Sequence, residues 1–338
     1  MKILYLTHHW YNNSHHSKYS GFQRLAIFAA KRHEVTVITW GKTNKEYLDD
    51  NNVYTIELKP FINNPFFLRF MISFKGRQIG NKFDVIHSLY SDCAFFLKKN
   101  TFIMTIHVLP NIVKYNSLKG KLFIWLKYLL LQKKAIKNSK YISCVSTNLK
   151  EKIKYSEQKK TIFIPHGIDT EYWSIDKKDI SSKKKNMVLC VGSHGVNVDQ
   201  LNVIINSNPS YHFHMIGMKN FNFKQSNCRI YDRVSDNDLK SLYSEADILV
   251  RTVHFATANN SILEAMAMGC VVVTNNIPGI QDYLSKSTCI FVEDLADYRL
   301  VKTTNELDII RNNAFTKIEE NFSWEVVLKN YEQIYEKE

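Results

Sequence analysis

No C-x-x-C pair occurs in this chain, although it carries six cysteines. Cys93, Cys144, Cys190, Cys228, Cys270 and Cys289 are spread too widely for a zinc site or a compact disulfide framework. Most sit in apolar runs, where a free thiol behaves as a small hydrophobe, so a reducing, cytoplasmic setting is expected. Long apolar runs are also missing. The longest, Leu122 to Leu131, has Lys127 inside its ten residues, whereas a spanning helix needs about 20. The run Met1-Lys2-Ile3-Leu4-Tyr5-Leu6-Thr7 lacks the roughly 7–15 apolar residues and small-residue cleavage site of a signal peptide, and reads as a first β-strand. Low-complexity and collagen-like composition are absent too, and 45% hydrophobic residues exclude a disordered chain.

What is present is an alternation of short apolar strands with helical segments. Strand-like runs fall at Lys2–Thr7, Glu34–Trp40, Asp84–His87, Phe102–Ile106 and Tyr141–Val145, with helical spacing between Gly21 and Lys31. After a polar break at Ser181–Asn186 the same grammar restarts. Strands are expected at Met187–Val191, Tyr211–Ile216, Asp247–Val250, Val271–Thr274 and Ile290–Val292, and helices at Asp238–Ala246 and Ser261–Met268. Such alternation predicts parallel βαβ units. At 338 residues two domains are favoured over one. The expected division is an acceptor domain over 1–170, a nucleotide domain over 171–320, and a helix over 321–338 crossing back to the first. The halves share architecture without visible sequence repetition.

In open α/β sheets ligands bind beyond the carboxyl ends of the strands, so the loops there carry the candidate chemistry. One of them, Ala256-Thr257-Ala258-Asn259-Asn260-Ser261, leads from a strand into a helix that carries Glu264 about one turn inside. A helix N-terminus offers unpaired N–H groups and a positive dipole end, which suit a phosphate. Glu264 would then accept hydrogen bonds from a ribose. Plain capping by Asn259, Asn260 or Ser261, with a solvated glutamate, explains the same residues. Arg251, at the end of the preceding strand, would supply charge to a phosphate or close a salt bridge. His107, ending the Thr105-Ile106-His107 strand, reads as a cleft residue or as a buried imidazole. His8, His9, His15 and His16 cluster near Tyr19. No neighbouring carboxylate or cysteine in the sequence completes a metal set, so a polar acceptor-side loop is expected of His15, His16 and Tyr19.

The stretch TANNSILEAMAMGCVVVTNNIPGIQDYL at 257–284 resembles the nucleotide-sugar segment of GT-B glycosyltransferases of the family 4 type. Tyr19-Ser20-Gly21-Phe22, Thr105-Ile106-His107, Val145-Ser146, Ile164-Pro165-His166-Gly167-Ile168-Asp169, Val191-Gly192, Leu242-Tyr243-Ser244-Glu245-Ala246-Asp247 and Phe322-Ser323-Trp324 follow that family's order. The resemblance implies an α/β fold of two Rossmann-like domains facing across a cleft. It implies transfer of a sugar from a UDP- or GDP-sugar, with retention at the anomeric carbon and no essential metal or other cofactor. Glu264 would bind the ribose, and the backbone at Asn259, Asn260 and Ser261 would face the diphosphate or sugar. Gly21 would let the first domain approach the phosphates, His107 would lie beside the reaction centre, and Arg233 and Val234 would flank the base. Two departures stand out. The family's earlier glutamate, in E-x7-E, is replaced by Ala256, so the donor loop is a variant. Its usual Arg and Lys are missing from the donor-binding loop Gly192-Ser193-His194-Gly195-Val196-Asn197-Val198-Asp199, which leaves Arg251, with His194 or Arg24, to face the leaving group.

The charge is +13, a statement about partners and not about fold. Between Lys114 and Lys160 there are thirteen lysines, no arginine and two acids, interleaved with Leu118, Leu122, Phe123, Trp125, Leu126 and Leu129. A basic amphipathic segment of this kind reads as an anionic membrane surface contact, or else as a solvated helix face. No arginine-rich patch or strand platform supports nucleic acid. The expectation is a peripheral enzyme on the inner face of the plasma membrane, acting on a glycan or lipid-linked acceptor in bacterial surface polysaccharide or lipopolysaccharide assembly. A nucleotide-sugar epimerase, a non-catalytic nucleotide-sugar binder and a nucleic-acid-binding protein are the alternatives.

Overall fold

The computed structural model describes residues 1–10, 19, 21–62, 64–112, 118–192, 194–292, 300 and 304–337. They form two compact units. One comprises Met1–Gly167 with Trp324–Glu338, the other Ile168–Ser323.

The first unit is built on eight strands: β1 (Lys2–Leu6), β2 (Glu34–Trp40), β3 (Lys45–Leu48), β4 (Val53–Leu58), β5 (Val85–Ser88), β6 (Ile103–Ile106), β7 (Tyr141–Cys144) and β8 (Thr161–Phe163). Their order is β3-β4-β2-β1-β5-β6-β7-β8, parallel except for β3 against β4. Central strands of a sheet covered on both faces carry continuous apolar runs. Accordingly Ile3, Leu4, Tyr5 and Leu6 of β1 are all fully buried. From β1 the chain runs outward through β2 to one edge, then returns beside β1 with β5 and runs to the other edge. The order therefore reverses between β1 and β5.

The helix Trp324–Tyr335 closes this unit. Its buried Val327, Leu328, Tyr331, Ile334 and Tyr335 recur at helical spacing. A hydrogen-bonded chain ties it to the sheet. Tyr335 meets Tyr5 at 3.1 Å and His87 Nδ1 at 2.8 Å, and His87 Nε2 meets Thr105 at 2.8 Å. Thr105 lies 2.6 Å from Ser143, which accepts from Tyr331 at 3.0 Å. Buried polar groups cost little when each has a partner, and this network satisfies groups on β1, β5, β6 and β7 together. It also keeps His87 neutral: burial pulls its pKa down to about 3.

The second unit has six strands, all parallel: β9 (Lys184–Val191), β10 (His212–Ile216), β11 (Cys228–Tyr231), β12 (Ala246–Arg251), β13 (Val271–Asn275) and β14 (Ile290–Val292). The order is β11-β10-β9-β12-β13-β14, reversing between β9 and β12. Strand β9 starts at Lys184, inside the segment read from sequence as a polar break. The reason is Lys183. Its buried Nζ donates to the carbonyls of Tyr243 at 2.7 Å and Ala246 at 2.8 Å, closing the carboxyl end of the helix Asp236–Glu245. A lysine placed this way is an internal cap, not a loop charge.

Candidate functional site

In the second unit the strand order reverses where the loops after β9 and β12 meet, the expected place for a ligand. Those loops are laced together. Val196 bridges Val253, His254 N donates to Gly195 O at 2.7 Å, and Asn197 N donates to Thr252 O at 3.0 Å. The end of β13 fixes the same segment: Thr274 Oγ1 donates to Arg251 O at 2.6 Å, while the Asn275 amide pairs with both N and O of Val253. Gly279 closes it from below, at φ +88° with its Cα against the Ala256 carbonyl, a position a Cβ would overlap.

Held by this scaffold, the loop turns into the helix Asn260–Ala267. Asn259 is its N-cap, yet makes no side-chain cap; its Oδ1 accepts instead from Ser261 Oγ at 2.7 Å. The backbone N–H groups of Asn260 and Ser261 take no hydrogen bond among the described residues. Two adjacent donors at the positive end of a helix form an anion seat. Capping therefore does not account for these residues.

Glu264 is almost completely buried one turn in, and its Oε2 accepts from the Tyr243 hydroxyl at 3.0 Å. The same hydroxyl lies 3.3 Å from Ser261 O, and the Tyr243 ring abuts Trp173 edge-on at 5.7 Å. Burial and the Glu264 carboxylate push the Tyr243 phenol up, so it stays a donor. A solvated glutamate is excluded by this geometry. Tyr243 belongs to the Leu242–Asp247 segment visible in the sequence, but nothing there signals that it holds Glu264.

Arg251 is buried, and burial lowers its pKa to about 10, which leaves it charged at neutral pH. Its Nη1 and Nη2 donate to the carbonyls of Gly192 at 2.8 Å and His194 at 2.7 Å. It closes no salt bridge among the described residues. It places a positive charge under the loop after β9, whose residues 192–199 include neither Arg nor Lys, and shapes that loop. Gly192 adopts φ +86°, and the His194 ring is exposed. Arg233 and Val234 lie just beyond β11, exposed and half-buried. Ser193 lies outside the described residues.

In the first unit the reversal between β1 and β5 gathers a buried charge cluster that sequence reading missed. Asp92, in the turn after β5, is bound by Arg69 Nε at 2.8 Å and Lys127 Nζ at 3.4 Å, with His8 Nδ1 at 3.4 Å. Burial alone would raise the Asp92 carboxyl, but the Arg69 and Lys127 cations hold it well below the ordinary carboxylate range. Burial keeps His8 neutral. A carboxylate and a cysteine thus do stand beside His8, which their separation in sequence concealed: the ligand atoms of His8, Asp92 and Cys93 lie within 4.8 Å of one another. They make a poor metal set. Asp92 is already neutralised by two cations, and burial pushes the Cys93 thiol up, keeping it protonated.

His107 is half-buried beside this cluster. Its Nε2 donates to Leu89 O at 3.0 Å, and its ring packs between Phe22 and Tyr90, each 4.8 Å away. Burial lowers its pKa to about 3. The tautomer is fixed by the carbonyl partner, so Nδ1 presents a lone pair and accepts. Gly21, at φ +138°, opens the turn into the helix Arg24–Ala30, and the Arg24 guanidinium lies over the Tyr19 ring at 5.7 Å. His15 and His16 lie outside the described residues.

Two family models match the sequence. Glycosyltransferase Family 4 covers residues 22–172, and Glycosyl transferases group 1 covers residues 185–305. A comparison with curated proteins finds no match. Solved structures of the same fold include sucrose-phosphate synthase from Thermosynechococcus elongatus, 16% identical with a TM-score of 0.79 over 99% of this chain and 98% of that one. Anabaena HepE in complex with UDP-glucose is 13% identical with a TM-score of 0.70 over both full chains. WaaG, a glycosyltransferase involved in lipopolysaccharide biosynthesis, is 15% identical with a TM-score of 0.60 over 97% and 94%.

Proposed function

Because the chain belongs to the GT-B glycosyltransferases of group 1 and family 4, we propose that it moves a sugar from a UDP- or GDP-sugar to a glycan or lipid-linked acceptor. The setting we propose is assembly of a bacterial surface polysaccharide or lipopolysaccharide. The observation that carries the donor half is the pairing of two unbonded N–H groups at Asn260 and Ser261 with a Tyr243-anchored Glu264 one turn behind them. The N–H pair suits a diphosphate and the carboxylate suits ribose hydroxyls, at a spacing set by a single helical turn. HepE, of the same fold, is known with UDP-glucose, which supports a nucleotide-sugar donor.

In the reaction the bond from the sugar's anomeric carbon to the diphosphate oxygen breaks, and a bond to an acceptor hydroxyl forms. Charge develops on the departing diphosphate, where preorganised N–H donors and a helix dipole act most strongly. Arg251 adds a fixed positive charge beneath the loop after β9. We propose a metal-independent transfer with retention, in which the N–H pair and Arg251 meet the charge of the leaving group. His107, neutral and with Nδ1 accepting, is suited to a sugar hydroxyl and not to a phosphate.

We also propose peripheral attachment to the cytoplasmic face of an anionic membrane. No helix among the described residues is long and apolar enough to cross a membrane. The helix Leu118–Lys127 and the turn beyond it instead expose Leu122, Phe123, Trp125, Leu126, Leu129 and Leu130. Phe66, on the helix Pro65–Ile79, packs on Phe123 at 5.4 Å, and exposed Phe61 and Ile62 precede that helix. Not every lysine of the segment serves this surface: Lys127 is spent on Asp92, and Lys160 caps the carbonyls of Ile136 and Ser139 at 2.8 Å.

Incubation with UDP- and GDP-sugars and a bacterial lipid extract tests the reading. One nucleotide family should donate, transfer should persist in EDTA, and proton NMR should show the donor's anomeric configuration kept. Conversion of the sugar nucleotide without any acceptor would establish the epimerase alternative instead.

A further inference from the structure

Resting on that reading, we propose that the first unit holds a subsite for a phosphate-bearing lipid, the anionic amphiphile that serves as acceptor or carries it. A cavity of about 460 Å³ opens in this unit. Its apolar wall is formed by Leu109, Trp125, Tyr128, Ile136 and Ile153. Around its mouth stand Lys133, Lys137, Lys152 and Lys154. None of these four ammonium groups has a carboxylate partner among the described residues. The one acid on the lining, Glu157, is already paired with Lys160 at 2.8 Å. An apolar cavity rimmed by four uncompensated cations is matched by a ligand with a hydrocarbon portion and a multiply charged head.

Two placements tie the cavity to His107 and to the exposed helix face. Leu109 follows His107 by two residues at the carboxyl end of β6, so the loop that carries His107 forms one wall. Trp125 and Tyr128 also line the cavity, and Trp125 is two-fifths exposed on the helix that, with the turn beyond it, displays Leu122, Leu126 and Leu129. A lipid leaving the bilayer at that helix face reaches the cavity without its chain crossing open water. The helix also carries a π-helical turn at Tyr128–Gln132. Such turns are rare inside α-helices and cluster at functional sites; this one begins at a residue lining the cavity.

Titration calorimetry with decyl phosphate below its micelle concentration tests this. Decyl maltoside serves as the uncharged probe with the same tail, and inorganic phosphate as the head alone. Decyl phosphate should bind, and both controls should bind at least about tenfold more weakly, because the maltoside offers no charge to the lysines and inorganic phosphate offers no tail to the apolar wall. The combined Lys133→Gln, Lys152→Gln, Lys154→Gln variant, whose changes are all at exposed positions, should lose decyl phosphate by about tenfold or more. Ile153→Trp, which fills the cavity, should weaken it without altering charge. Equal binding of the maltoside, equal binding of phosphate alone, or an unchanged lysine variant would each overturn the subsite. UDP and GDP titrated into the same variants separate the two claims. Nucleotide binding that persists while decyl phosphate fails refutes the subsite alone. Lysine-dependent decyl phosphate binding without any nucleotide binding refutes the donor reading and leaves the subsite standing.

Discussion

Replacing Glu264 by alanine should lower affinity for the donor nucleotide by about a hundredfold or more, and Tyr243→Phe by about tenfold. Hydrogen bonds to a charged acceptor are worth about 1.5–3 kcal/mol each, and an ordinary one about 1 kcal/mol. The carboxylate is asked for up to two such bonds from a ribose, hence the larger loss. Tyr243 touches no donor atom in this account; it holds Glu264 Oε2 at 3.0 Å and positions it. Its loss should therefore raise the donor KM with little change in kcat, and the acceptor KM should stay put. Glu264→Gln, which keeps shape and one acceptor oxygen, should recover part of the affinity. In the alanine variant the Tyr243 hydroxyl keeps Ser261 O as a partner, so near-UV circular dichroism should show the fold intact. Unchanged nucleotide affinity in Glu264→Ala, measured by calorimetry, would remove Glu264 from the donor site.

The second large effect is acid sensitivity concentrated in the first unit. His8, His87 and His166 are buried there and neutral: burial holds His8 well below the ordinary 6.5, His87 at about 3 and His166 at about 4, and half-buried His107 adds to the same trend. In the unfolded chain each titrates near 6.5. Between the two values the unfolded state binds more protons, so stability is full above pH 6.5 and falls as the pH drops through and below it. At pH 5.5 each histidine costs about 1.4 kcal/mol, and the three together roughly 4 kcal/mol. Asp92, whose pKa is depressed, adds its own loss only below the ordinary carboxylate range. In the second unit burial lowers His214, which shares the sign of the first unit's histidines, while it raises Asp247, which has the opposite sign and is relieved by acid. Trp10, Trp40, Trp125 and Trp324 lie in the first unit and Trp173 alone in the second, so tryptophan fluorescence reports chiefly on the first. The urea midpoint followed by that signal should fall markedly between pH 7.5 and 5.5. An unchanged midpoint would mean that these histidines are not held neutral by the fold.

The parts legible in the sequence were those with strong periodic or β-branched patterns. EVTVITW became β2, the strands on either side of the second reversal were placed within three residues at each end, and the loop before Glu264 was read as a candidate anion seat. Four strands escaped. The β3 segment Lys45–Leu48 is polar and mostly exposed, while β8 and β11 are short edge strands. β4, VYTIEL, is interrupted by Thr55 and Glu57 and has no long apolar run. The helix Pro65–Ile79 escaped because its apolar residues are spread around the helix; the signal available was Asn64 followed by Pro65, which does cap it, with Asn64 Oδ1 accepting from Phe66 N at 2.8 Å. The Asp92 cluster was illegible in principle. His8 and Asp92 are 84 residues apart, and only the pairing of β1 with β5 brings their loops together. Tyr243 was visible as part of a motif, but its grip on Glu264 depends on the packing of two helices.

The central claim is that the second unit binds a nucleotide-sugar through the helix seat and Glu264. A thermal-shift screen of UDP, GDP, their common sugar derivatives and a short oligonucleotide, at two salt concentrations, tests it most directly, because a ligand of the native state raises the melting temperature with its affinity and concentration. The account predicts a rise with one nucleotide family that is little altered by salt and disappears in Glu264→Ala. No rise with any nucleotide, together with a salt-sensitive rise for the oligonucleotide, would contradict it and make the basic surface the function.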